Sequence, residues 1–240
     1  MAEIKRNTRQ FVMPVNKWEA VVREGDGFAE DVFNRQGPGW IEHVPEWAAY
    51  HVVKMGDIEK VTVDDILDLQ VQDQEALFIN IRQCIAGDKV NLKVFCEQKI
   101  HENGICVDLE EISFTPLPAD AQGERPTFVV TLPRSEWECE FGYITGREEL
   151  AAVEKIKRGV EDEIALLFES IKRLGPYRKG VDLKLRHFME LLTLDRATIR
   201  GAFDKKYCGY DTRYRWNCKT CGGANITSLF SQKGFFVPKV

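Results

Sequence analysis

The strongest constraint on what this chain can fold into is a repeat within it. Sliding residues 62–99 onto 184–221 without a gap places Leu69 on Leu191, Asp73 on Asp195, Gly87 on Gly209 and Cys96 on Cys218. The identities fall at a helix start, a helix stop and a turn cysteine. Between them Val63, Ile66, Leu67, Leu77 and Ile81 meet Leu185, Phe188, Met189, Ile199 and Phe203. A duplicated segment that keeps its apolar positions builds the same supersecondary unit twice. The expected fold class is therefore α+β: two related units, each a pair of helices followed by a knuckle-like β-ribbon, with an irregular N-terminal arm.

Local patterns support the units. Asp73 is placed to cap a helix whose apolar face is Leu77, Phe78, Ile81, Cys84 and Ile85, and Gly87 ends it. Val90–Val94 and Gly104–Leu109 alternate as the strands of a hairpin do. Residues 115–126, rich in proline and polar side chains, read as a linker, and Phe128–Leu132 reads as a strand after it. Thr145-Gly146-Arg147-Glu148 has the form of a capping box opening a long helix with Leu150, Val153, Ile156, Val160, Ile164, Leu167, Phe168, Ile171 and Leu174 on one stripe. Gly159 interrupts that stripe and Gly175-Pro176 stops it. The first 50 residues, with Gly37-Pro38-Gly39-Trp40 and Pro45-Glu46-Trp47, hold no sustained period. The division expected is an irregular arm at 1–56, a first helix-plus-ribbon unit at 57–120 and a second at 127–240.

With 240 residues, 44% of them hydrophobic, the chain can bury sizeable cores. It has no stretch of 18 apolar residues and no apolar leader segment near its start, so neither a membrane span nor secretion is expected. The net charge of −5 hides a segregation: residues 171–240 carry 15 Lys/Arg against 5 Asp/Glu, leaving the remainder strongly acidic. Either the two parts neutralise one another within the fold, or the basic part meets an external acidic partner.

The cysteines, odd in number and irregularly spaced, do not read as a disulfide framework. Cys218-Lys219-Thr220-Cys221 has the spacing that lets two thiolates share one tetrahedral zinc, with Gly222-Gly223 folding beneath the ion. A pair is half a site, and Cys96, Cys106 or Cys208 would have to complete it. The alternative is that these thiols are apolar fillers of a ribbon turn. A dithiol redox centre is disfavoured, because Gly222-Gly223-Ala224-Asn225 is a poor helix start. No catalytic residues are assigned: His43, His51, His101 and His187 fall in no metal-binding or general-base spacing, and no phosphate loop or nucleophile elbow occurs. No small-molecule substrate is expected. Arg213, Tyr214, Arg215, Trp216 and Lys219 interleave cations with aromatics, which suits either phosphates and bases or a strand with one buried face. Phe235 and Phe236 are expected either to fold back into the core or to anchor a partner.

Three segments together resemble the baseplate hub assembly proteins of T-even-like contractile-tailed bacteriophages. They are the acidic Leu-Asp run into Asp73-Gln74-Glu75-Ala76-Leu77-Phe78-Ile79-Asn80-Ile81-Arg82 with Gly87 and Cys96, the Gly-Tyr-Ile-Thr-Gly at 142–146, and the terminal Cys-x-x-Cys with Phe235-Phe236-Val237-Pro238. The chain departs from the family pattern at Lys99, where a second cysteine is expected, and at Val237, where the tail often carries tryptophan. The resemblance implies a non-enzymatic protein that binds hub and tape-measure proteins in the host cytoplasm during tail assembly, leaving before completion or staying in the virion baseplate. On this reading Phe235, Phe236, Trp216, Arg213 and Arg215 contact partners, and nucleic acid is not one of them. The second reading is a regulatory zinc-ribbon module that binds nucleic acid.

Overall fold

The structure, a computed structural model, describes residues 6–32, 40–97 and 100–236. Gly37-Pro38-Gly39, Lys99 and Val237-Pro238 lie outside the described residues. In chain order the elements are β1 (Thr8–Val12), β2 (Glu19–Arg23), α1 (Gly27–Asp31), α2 (Val44–His51), β3 (Val52–Met55), α3 (Val63–Leu67), α4 (Val71–Ala86), β4 (Lys89–Phe95), β5 (Glu102–Asp108), β6 (Phe114–Thr115), β7 (Thr127–Thr131), β8 (Glu138–Gly142), α5 (Gly146–Lys157), α6 (Asp162–Ser170), β9 (Ile171–Leu174), β10 (Tyr177–Arg178), α7 (Leu185–Met189), α8 (Thr193–Lys205), β11 (Gly209–Tyr210), β12 (Arg213–Asn217), β13 (Ala224–Ser228) and α9 (Lys233–Phe236). The class is α+β with small antiparallel sheets: β1-β2-β3, β10-β9-β8-β7, and the pairs β4-β5, β12-β13 and β11-β6.

The expected irregular arm is instead a folded sheet. β1 and β2 form a hairpin, and β3 adds to its edge. The short strands hide their alternation from a sequence scan, because β1 faces solvent and only Ala20 and Val22 of β2 are fully buried. This hairpin corresponds position by position to β7-β8. Met13 N donates to Trp18 O and Leu132 N to Trp137 O across the two turns. Lys17 and Glu136 share a left-handed backbone (φ 61° and 58°). Both third strands pair with the same shift: Ala20 opposes Met55 and Val22 opposes Val52, as Cys139 opposes Leu174 and Phe141 opposes Ile171. Gly56 and Gly175, at φ 55° and 54°, bring backbone against the rings of Trp18 and Trp137.

Asp73 does not cap its helix as expected. Gln70 is the N-cap, and Asp73 sits in the first turn of α4, fully buried. Its carboxylate accepts from Val15 N at 2.7 Å and Asn16 N at 2.9 Å, tying the β1-β2 turn to the helix. Asp195 in α8 does the same for Arg134 N (2.8 Å) and Ser135 N (3.0 Å). Charge-assisted bonds to two backbone donors explain why an aspartate is fully buried at each position. Thr145 and Glu148 form the expected capping box, and the long helix breaks at Gly159 (φ 89°) into α5 and α6. The stripe does not stay helical to Leu174; β9 begins at Ile171 because that residue continues the sheet beside β8.

One core gathers Met13, Val22, Trp47, Leu77, Ile81, Val90 and Leu92 with Trp216, Leu229, Phe235 and Phe236. A second holds Leu132, Cys139, Phe168, Ile171, Phe188 and Ile199. A third, smaller cluster of Val15, Phe128, Phe141, Tyr143 and Cys208 adjoins the second, both packing against Val130 and Phe203. The division at 127–240 therefore needs correction at its end: from Tyr210 onward the chain leaves the second core and packs into the first. β11 pairs with β6, and α9 lies on β4, with Gly234 against Leu92. Part of the basic segment is neutralised within the fold. Lys172 and Lys179 pair with Glu148, Arg173 with Glu138, Arg200 with Glu163 and Lys206 with Asp120.

Candidate metal centre

The ribbons β4-β5 and β12-β13 meet tip to tip, and their tips have the same build. Cys96 N donates to His101 O and Ile100 N to Cys96 O; in the other tip Cys218 N donates to Gly223 O and Gly222 N to Cys218 O. Ile100 and Gly222 both take the left-handed conformation, φ 54° and 73°, that closes so tight a turn. Two buried asparagines lock the tips together reciprocally. Lys219 N donates to Asn103 Oδ1 at 2.9 Å, and Glu97 N donates to Asn225 Oδ1 at 3.0 Å. Each amide nitrogen then returns to its own tip, Asn103 Nδ2 to His101 O and Asn225 Nδ2 to Gly223 O.

This exchange brings Cys96, His101, Cys218 and Cys221 together, their ligand atoms all within 4.8 Å of one another. Cys96 Sγ lies 3.6 Å from Cys221 Sγ, and Cys218 Sγ lies 3.6 Å from His101 Nδ1. With zinc–sulfur bonds of about 2.3 Å and zinc–nitrogen bonds of about 2.0 Å, the edges of a tetrahedral site are roughly 3.5–3.8 Å. The donor set thus fits zinc in chemistry and in spacing. Burial works to raise the Cys218 thiol, but the Cys221 and Thr220 backbone N–H groups, the Asn103 amide and His101 outweigh it, pushing it down to about 5. Asn103 Nδ2 donates to Cys218 Sγ at 3.4 Å, the kind of outer hydrogen bond that orients a ligating thiolate. Cys221 is shifted upward: the Gly223 backbone opposes the shift, while burial and the neighbouring Cys218 and Cys96 drive it.

Of the candidates to complete the site, Cys96 is brought in, and Cys106 and Cys208 are not. Cys106 is exposed on β5, and Cys208 is buried in the third cluster, where burial pushes its thiol up to about 11. The ungapped repeat sets Cys221 against Lys99, so His101, one of the four ligand residues here, has no counterpart in the cysteine pair of the second tip. The usable signal was Asn103, aligned with Asn225 and two residues beyond the histidine.

The proposed partner contacts fare unevenly. Phe235 and Phe236 are buried in the first core, Phe236 edge-on to Trp47 at 5.1 Å and close to Phe78 and Phe230, so they do not present an anchor. Trp216 points inward as well. Arg213 and Arg215 are exposed on β12, and Arg213 pairs with Asp211 at 3.1 Å. Among the described residues no helix is long and apolar enough to cross a membrane. Comparison with known family models, curated proteins and solved structures finds no match to this chain.

Proposed function

We propose that this protein works by binding, as a zinc-stapled assembly factor or minor component of a contractile-tail baseplate hub, and catalyses no reaction. The observation that carries the structural role of the metal is the donor set itself. Cys96, His101, Cys218 and Cys221 supply four protein ligands, the closed arrangement of structural sites, whereas catalytic zinc keeps a position open for water or substrate. The chain is read as two related units, each ending in a ribbon, with the ion held between the two ribbons. The phage assignment rests on the resemblance at 73–96, 142–146 and 218–238, and its partners would be hub and tape-measure proteins, met in the host cytoplasm or in the virion baseplate.

Purified protein is expected to carry about one zinc per chain. His101→Ala and Cys221→Ser should each lose the ion and lower the unfolding midpoint, while Cys106→Ser changes neither. Full zinc retention in both ligand variants would remove the staple. Affinity capture from infected cells, read by mass spectrometry, should return hub proteins; their absence would remove the assembly role and leave the metal site standing. Outward-facing Arg213 and Arg215 favour one second reading, a nucleic-acid contact, which predicts a gel shift that weakens steeply with salt.

A further inference from the structure

Among the described residues, the contact between the α3–α4 corner and the β8–α5 corner has two counterparts that meet no such partner, although Arg6 pairs with Asp26 at 3.1 Å in one of them. In the contact that is made, Val71 N donates to Ile144 O at 2.9 Å, Gly146 N donates to Leu69 O at 3.1 Å, and Gln70 bridges Thr145. Arg147 then seals the edge, reaching Asp64 and Asp68 at 2.7 and 2.6 Å. The counterpart of Leu69-Gln70-Val71 is Leu191-Leu192-Thr193, between α7 and α8. Its backbone is already in the docked conformation: Leu192 has φ −63°, ψ 152°, against −60°, 146° for Gln70. Among the described residues, no other element hydrogen-bonds the backbone of this corner. Its side chains are apolar and bare, with Met189 45%, Leu192 61% and Leu194 48% exposed.

The counterpart of Ile144-Thr145-Gly146-Arg147 is Gly25-Asp26-Gly27-Phe28, where β2 runs into α1. Asp26 accepts from Phe28 N two residues on, and Thr145 from Glu148 N three residues on, so in both corners a side-chain oxygen caps the helix start, in different registers. Phe28, standing where Arg147 stands, is 72% exposed. The chemistry of the two open corners has changed together. Where the closed contact sets Arg147 against Asp64 and Asp68, the open one offers Phe28 to a corner in which Arg186 replaces Asp64 and leucines replace Gln70 and Gln72. Glu190 keeps the acid of Asp68, so Arg186 and Glu190 hold charge at the rim while the apolar gain lies in Phe28 on one side and Leu192 and Leu194 on the other.

We infer that the α7–α8 corner binds the Gly25–Phe28 corner of a second copy of this chain, repeating between molecules the contact made within each. The two surfaces are different, so association is head-to-tail and leads to a ring or an open filament, not a two-fold dimer. Burying Phe28 and the exposed leucines supplies the apolar drive. This inference does not depend on the metal site.

The test is sedimentation or light scattering across concentration, on the zinc-loaded full chain. The wild type should grow in mass beyond a dimer. Phe28→Glu and Leu192→Glu, both at exposed positions, should each stay monomeric with zinc content unchanged. An equimolar mixture of the two should form a dimer and nothing larger, because one variant keeps an intact α7–α8 corner and the other an intact Phe28. A wild type that stays monomeric up to its solubility limit, as expected if a different protein fills the corner, would overturn the inference. So would a dimer indifferent to either substitution, or a mixture that stays monomeric.

Discussion

Ile100 shows how a single residue carries a cost fixed by its surroundings. A β-branched side chain at φ 54° is strained, yet the tip must turn there to bring His101 back toward Cys96. Ile100→Gly, which removes the strain at an exposed position, should stabilise the protein by about 1 kcal/mol in denaturant unfolding. Asp73 and Asp195 are the opposite case, since each is fully buried and accepts from two backbone donors of a hairpin turn. Replacing either by alanine orphans both donors, at about 1–3 kcal/mol for each one. Glu75 is set by its neighbours as well: burial first, then the charges of Glu149 and Asp211, push its carboxyl up to about 8. The unfolded chain ionises Glu75 near 4.5 while the folded chain holds the proton to about 8. Unfolding therefore releases a proton between those values, and stability falls as pH rises through that window. Measured against Glu75→Gln, which cannot ionise, the wild type should lose stability between pH 5 and 8; parallel curves would refute the shift.

At the scale of elements, the two three-stranded sheets pose one problem with two tolerances. Gly56 and Gly175 both occupy left-handed positions beneath a tryptophan, but an added Cβ would stand 3.3 Å from the Trp18 ring and 2.6 Å from that of Trp137. Alanine at either site bears the backbone penalty of about 1–2 kcal/mol. Only Gly175→Ala adds a clash with a ring packed against the second core, a further 1–3 kcal/mol or so. Thermal unfolding should rank Gly175→Ala clearly below Gly56→Ala, and equal losses would mean that the Trp137 ring moves freely. The hairpin β4-β5, the capping box at Thr145 and the break at Gly159 were legible in sequence because each rests on neighbours within a few residues. The hairpin β1-β2 was not. Its strands are short, largely solvent-facing, and recognisable chiefly by their likeness to β7-β8, which the ungapped alignment missed because the connection Gly175–Lys184 is longer than Gly56–Thr62.

For the whole molecule, the decisive fact is that the chain's end returns to its beginning. Phe235 and Phe236 fill the first core, so truncating either to alanine should cost about 3–5 kcal/mol. Loss of folding, not loss of a partner, is the expected result of deleting the tail, and an unchanged unfolding midpoint would contradict the packing. The sequence by itself determined the α+β class, the repeated helices and the thiol pair at 218 and 221, because periodicity, capping and turn chemistry act over short spans. Only the tertiary structure decided which half-site completes that pair. Cys96 and His101 lie more than a hundred positions away from it, and the reciprocal bonds of Asn103 and Asn225 form only once the two ribbons have met. Ligand geometry is a property of such long-range docking, which no local pattern in the chain encodes.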